Sequence, residues 1–316
     1  MILFDEKNDI SKKKFTLLIA TLGFESRASY ISSKITYEQG LCVMLDDRGQ
    51  DSYKKNEKIF DSLPFKKIDW DKCIEIKTLK DNILSLDCVK NNRNKEVSIA
   101  IDISSMTRLM SAKILYALFE LLKDGEKYEL TMLYAPAKYD DTLVKKHATH
   151  NQISAAGPVI EEYAGFSKYN ELPLYTVMGI GYEYGRALGA LDYLDVSSAI
   201  LFRPSGTNKK FLEQVNIIND DLLNMVGFEN VIDYNLHHPQ DIFFKLRSLV
   251  ASLSKKGRVV MVPFGPKVFH FSCLLVSHSL NLEIPVWRIS PGENEEPHDS
   301  EASGEIVSMT FKYKEG

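Results

Sequence analysis

Two short stretches hold the residue types best able to do chemistry. The first, Asp102-Ile-Ser-Ser-Met-Thr-Arg108, sets hydroxyls and a cation where an apolar run stops and a helical pattern starts. The start of a helix presents unpaired N–H groups and partial positive charge, so Ser104, Ser105, Thr107 and Arg108 suit a phosphate or another anion. The same hydroxyls suit helix capping, and one residue can do both. The second stretch is a Gly-aromatic-Glu turn that occurs twice. It reads Gly23-Phe24-Glu25-Ser26-Arg27-Ala28 and, with one inserted position, Gly181-Tyr182-Glu183-Tyr184-Gly185-Arg186-Ala187. A carboxylate in a helix's first turn competes with phosphate for the same positive end, so Glu25 and Glu183 require partners. Ion pairs with Arg27 and Arg186 answer that structurally; the functional alternative has each Glu accept from a ribose hydroxyl or a base amine.

A catalytic arrangement is also available. Asp102 beside Ser104 and Thr107 suits activation of a hydroxyl or water, with Glu25 as a second acid/base group, and the residues leave open whether anything is turned over. No G-x-S-x-G, H-E-x-x-H or Walker loop is present. Cys42, Cys73, Cys88 and Cys273 are scattered without C-x-x-C spacing or clustered histidines, so they read as reduced core thiols. Neither a metal site nor a cofactor is expected.

The elements that must position these residues follow from hydrophobic patterning. Phe15 to Leu22 is a continuous apolar run of strand length ending at Gly23, and Leu41 to Leu45 is a second. Helix-compatible spacing over 25–35 connects them. Val97 to Asp102 is another strand, followed by a helix whose Leu115, Leu118, Phe119 and Leu122 share one stripe, and then by a strand from Leu130 to Tyr134. The second half repeats the order: strand Tyr175–Met178, a glycine turn, a helix from about Glu183 to Leu194, strand Ala199–Phe202, strand Arg258–Val262, loop Phe264-Gly265-Pro266-Lys267, an apolar helix from Val268 and a strand Val286–Ile289. Glu25 precedes Arg108 by 83 positions and Glu183 precedes Lys267 by 84. Shared motif, order and separation together argue for internal duplication.

The predicted fold is therefore α/β: two tandem Rossmann-like units with mainly parallel sheets, a pseudo-dimer, spanning 1–150 and 171–316. Residues 135–174 read as the connection, 291–304 as a mobile acidic loop and 306–314 as an edge strand. Sites in such sheets lie at the carboxyl ends of the strands, which carry both motifs; a cleft shared by the two halves is the expected location.

These residues resemble the CRISPR-associated Rossmann fold (CARF) and its fused two-copy relative, the SAVED domain, which sense cyclic oligonucleotides. Thr21-Leu22-Gly23 is similar to the Thr/Ser-Gly turn that ends the family's first strand. Asp102, Ser104, Thr107, Arg108 and Met110 resemble its later motif, with Arg108 where the family has lysine and Ser104-Ser105 where it has glycines. The second copy keeps one glycine and the cation, in Phe264-Gly265-Pro266-Lys267, but no hydroxyls, so the two sites are expected to be unequal. The resemblance implies a sensor of a small phosphate-bearing ligand, a cyclic or linear oligonucleotide signal in bacterial antiviral defence, acting through a separate effector protein. On it, ligand contacts fall to Gly23, Glu25, Arg27, Ser104, Ser105, Thr107 and Arg108, and to Gly181, Glu183, Arg186, Gly265 and Lys267.

Composition narrows the alternatives, which are an enzyme acting on a nucleotide or nucleic-acid end and an adaptor for a protein partner. The 316 residues are 44% hydrophobic and 26% charged, ordinary for a globular chain of two cores. Lys and Arg total 39 against 43 Asp and Glu, a net charge of -4, so long nucleic acid is a poor partner. The polar start without an h-region and the lack of any long apolar run point to a cytoplasmic protein with no membrane partner.

Overall fold

A computed structural model of the chain describes residues 1–5, 10, 12–47, 49–92, 95–140, 155–166, 171–183, 185–206, 209–290 and 299–313. The chain divides into two compact units, Met1–Lys138 with Pro297–Gly316, and Tyr139–Glu296.

In the first unit the apolar runs become strands buried on both faces, as parallel strands covered by helices must be. The elements in order are β1 (Ile2–Phe4), β2 (Lys14–Leu22), β3 (Thr36–Met44), α1 (Asp51–Asp61), β4 (Phe65–Asp69), α2 (Ile76–Leu84), α3 (Asp87–Lys90), β5 (Val97–Asp102), α4 (Arg108–Lys123) and β6 (Tyr128–Tyr134), with β13 (Val307–Tyr313) returning from the C-terminal segment. The sheet runs β1-β13-β6-β5-β2-β3-β4; β4, β3, β2, β5 and β6 are parallel, and β13 is antiparallel to both β6 and β1. From β2 the chain winds first toward β4 and later, from β5, toward β6. Right-handed crossovers therefore put α1 and α4 on opposite faces, and the winding reverses between β2 and β5. Leu18, Ala20 and Leu22 pack with Tyr53 and Phe60 of α1. By strand alternation Leu17, Ile19 and Thr21 face the other side, toward α4.

The second unit contains β7 (Ala155–Pro158), β8 (Leu174–Gly179), α5 (Arg186–Leu194), β9 (Ser198–Ser205), α6 (Lys209–Ile218), α7 (Asp220–Val226), β10 (Val231–Asn235), α8 (Pro239–Leu253), β11 (Arg258–Pro263), α9 (Lys267–Ser279) and β12 (Trp287–Ser290). Its main sheet is β10-β9-β8-β11, all parallel. That order reproduces β4-β3-β2-β5 of the first unit, with the reversal between β8 and β11. The duplicated Rossmann-like fold expected from the sequence is thus present in both units.

Four details depart from the patterning. Residues 25–35 hold two short 3₁₀ turns, Ser26–Ser29 and Ile31–Ser33, in place of an α-helix. The Arg27 amide donates to the carbonyl of Ser300, and Ser26 donates through its amide and hydroxyl to Asp299, so the C-terminal segment takes donors there. The predicted boundary at 171–316 also fails, because β13 completes the first sheet, sandwiched between β1 and β6 and not at an edge. A strand's partner is set by long-range register, which local patterning does not encode. Finally, β12 pairs antiparallel with β7 and touches the main sheet through one bridge, Val286 to Met261, so the second unit lacks a full counterpart of β6. Of the acidic loop, 291–298 lies outside the described residues.

Candidate functional site

A parallel sheet has an open crevice where its winding reverses, because the flanking crossovers leave in opposite directions. In the first unit that crevice lies beyond the carboxyl ends of β2 and β5. Gly23, immediately after β2, and Ser105, three residues beyond β5, meet there: a Cβ placed on Gly23 would lie 3.7 Å from the Cβ of Ser105 and 3.7 Å from Leu45, ordinary contact distances. The Gly23 turn and the Ser-rich loop are therefore neighbours, and Gly23, itself buried, would take a Cβ without a clash.

The individual side chains divide into those holding the loop and those facing the crevice. Asp102 is 2% exposed, and its Oδ1 accepts from the Ser104 amide, so its carboxylate shapes the loop. Ser104 is fully buried, and its Oγ accepts from the amide of Ala135, tying the loop to the residue after β6. Thr107 is the N-cap of α4, its Oγ1 accepting from the Met110 amide. These three, expected among the ligand or catalytic groups, thus have scaffold roles. Arg27 is likewise committed: it is 6% exposed, pairs with Glu25 at 2.6 Å and donates to the carbonyl of Ala135. Burial opposes its charge, but Glu25 and Tyr134 more than offset this and raise its pKa above the ordinary value. The ion-pair reading of Glu25 and Arg27 is the one the geometry bears out, and the pair neutralises the carboxylate beside the crevice.

Gly23, Arg108 and two hydroxyls complete the set. Arg108 is half-buried at the first position of α4. Ser105 is 8% exposed and Thr21 2% exposed, and neither Oγ of Ser105 nor Oγ1 of Thr21 has a hydrogen-bond partner. Leaving a buried hydroxyl unpaired costs about 1–3 kcal/mol, so each of the two requires an explanation.

The second unit builds the equivalent place differently. Gly181 follows β8 and Gly265 follows β11, where φ is +73°, a conformation favouring glycine. The Gly265 amide donates to Oε1 of Glu183 at 2.9 Å. A Cβ on Gly181 would lie 2.5 Å from Gly265 Cα and 2.6 Å from Glu183 Oε2, so no side chain fits at this turn. Lys267 opens α9 as Arg108 opens α4, and Arg186, 8% exposed, opens α5.

One pair of residues escaped the motif reading. Asn56 of α1, 2% exposed, donates through Nδ2 to the carbonyls of Gly23 and Glu25. Asn219, 4% exposed, donates to the carbonyls of Gly181 and Val215. Each buried amide pins its unit's glycine turn. The signal was an amide on the stripe between Tyr53 and Phe60, a face that otherwise packs into the core.

All four cysteines are free and buried, and burial pushes the Cys42 thiol up to about 12 and Cys73 and Cys88 up to about 11. Among the described residues no group of His, Cys, Asp and Glu is placed to hold a metal ion, and no helix is long and apolar enough to cross a membrane.

No protein-family model and no curated protein matches the chain. Among solved structures it is similar, at 11% identity and a TM-score of 0.20, to a GsuK channel bound to NAD, over 86% of this chain and 64% of that one. The chain thus spans less than two thirds of that channel chain, and a likeness this slight bears on neither fold nor function.

Proposed function

We propose that the crevice between β2 and β5 binds a small phosphate-bearing ligand, and that the chain is a sensor of the CARF and SAVED kind whose signal is a cyclic or linear oligonucleotide. The observation that carries the reading is the pair of buried, unpartnered hydroxyls on Thr21 and Ser105. Ser105 lies against Gly23, at the reversal of the sheet where ligands gather in doubly wound folds, and Thr21 is two residues before that glycine on β2. Phosphate oxygens would accept from both hydroxyls and from the N–H groups opening α4, with Arg108 supplying charge-assisted hydrogen bonds. Glu25 does not oppose such a ligand, since its charge is met by Arg27. The hydrolytic alternative has less support, because Asp102 and Glu25 already have partners in the scaffold.

Calorimetric titration with cyclic di-, tri- and tetranucleotides tests the reading. Heat is expected from at least one of them, and Arg108→Ala is expected to weaken that ligand by about 1.5–3 kcal/mol, the scale of a hydrogen bond to a charged group. Absence of heat across the panel would remove the proposal. An effector partner and an antiviral setting are what the resemblance adds; recovery of a stoichiometric partner only in the presence of the binding nucleotide would support that part.

A further inference from the structure

The Gly-aromatic-Glu turn is duplicated, yet the two glutamates are placed differently. In the first unit the Glu25 carboxylate turns to Arg27. In the second, the Glu183 carboxylate lies against Gly181 and takes the Gly265 amide at 2.9 Å, just before the thirteen-residue helix α9. We infer that Glu183 is a built-in plug that shuts the second unit's crevice, so that the chain takes its phosphate-bearing ligand in the first unit alone.

A carboxylate oxygen and a phosphate oxygen are acceptors of the same kind, and the N–H groups before a helix bind either. An oxygen already on the Gly265 amide therefore excludes a second one from it. The plug depends on the absence of a side chain at Gly181, where a Cβ would lie 2.6 Å from Glu183 Oε2. It is held from below by Asn219, which fixes the Gly181 carbonyl. By contrast, a Cβ on Gly23 meets nothing nearer than 3.7 Å, and the carboxylate of that turn is drawn away by an arginine two residues on. The inference rests on the anion-binding reading of the first unit for its statement of where the ligand goes, but the plug itself is testable without it.

The experiment uses the full chain labelled with ¹⁵N-glycine and titrated with inorganic pyrophosphate, reading the amide resonances of Gly23 and Gly265. In the wild type Gly23 is expected to move while Gly265 stays in place and its proton exchanges slowly. In Glu183→Ala both are expected to move, and in Glu183→Gln, which keeps the shape but not the charge, Gly265 is expected to move at higher pyrophosphate. Movement of Gly265 in the wild type at the concentration that moves Gly23 would overturn the plug, as would a stationary Gly265 in folded Glu183→Ala. If Glu183→Ala does not fold, the wild-type and Glu183→Gln arms decide. A stationary Gly23 with a mobile Gly265 in Glu183→Ala would support the plug and count against the first-unit reading.

Discussion

The two glycine turns share a sequence, a position at the reversal of the sheet and a buried asparagine beneath them, but they differ in what meets the glutamate. At Gly23 the carboxylate is paired with a buried arginine, and the neighbouring Ser105 hydroxyl is buried without a partner. At Gly181 the carboxylate lies in the crevice on a backbone amide. A duplicated frame therefore does not imply duplicated chemistry; in the second turn the carboxylate takes the Gly265 amide, and in the first it takes Arg27.

The largest expected effect comes from breaking the ion pair at the first glycine turn. Arg27→Ala leaves the mostly buried Glu25 carboxylate without its partner and removes a donor from the Ala135 carbonyl. Breaking a buried pair in this way costs about 3–5 kcal/mol, so urea unfolding of Arg27→Ala should show a loss of that order. Removing the carboxylate as well, in Glu25→Gln with Arg27→Ala, should restore part of it.

The asparagines test the likeness of the two frames. Asn56→Ala and Asn219→Ala each strip two buried carbonyls of a donor. Each should cost about 1–3 kcal/mol by the same unfolding measurement. A large cost at one and none at the other would show that the turns are not built alike.

The glycines test the difference. Gly181→Ala would set a methyl 2.5 Å from Gly265 Cα and should destabilise by about 1–3 kcal/mol, the usual cost of overpacking. Gly23→Ala meets only ordinary contacts and should change stability by no more than about 0.5 kcal/mol while narrowing the ligand's approach. Equal costs would erase the distinction between the two glycine positions.

The smallest effect is a shared one. Because burial raises the thiols of Cys42, Cys73 and Cys88, their neutral forms are favoured in the folded chain. Their contribution is complete below the unfolded thiol pKa of about 8.5 and is lost as pH rises through the folded values of about 11 to 12. Melting temperatures should be insensitive to these groups near neutrality and fall from about pH 9 upward, and native thiols should react with a disulfide reagent far more slowly than unfolded ones.

Much of the frame was legible because buried parallel strands announce themselves as apolar runs; Phe15 to Leu22 and Val97 to Asp102 needed no partner to be recognised. Repetition of the glycine turn exposed the duplication for the same local reason. The fate of Val307 to Tyr313 was not legible, since alternation marks a strand but not the sheet it joins. Nor could local spacing show that Ser26 and Arg27 would give their amides to Asp299 and Ser300, which converts a helical pattern into 3₁₀ turns. Around the Ser-rich loop, residue types did not reveal which hydroxyls hold the backbone. Ser104 and Thr107 tie and cap, whereas Ser105 and Thr21 are buried with unpartnered hydroxyls, a division that residue type alone does not encode. Asn56 was hidden because a polar residue on a helix ordinarily reads as exposed.

The central claim is that Ser105 serves a ligand and not the fold. Its Oγ has no partner to lose, so Ser105→Ala should melt within a degree or two of wild type. By calorimetry with whichever cyclic oligonucleotide the wild type binds, it should lose about 1.5–3 kcal/mol of affinity, the scale of a hydrogen bond to a charged group. Unchanged affinity at an unchanged melting temperature would contradict the account.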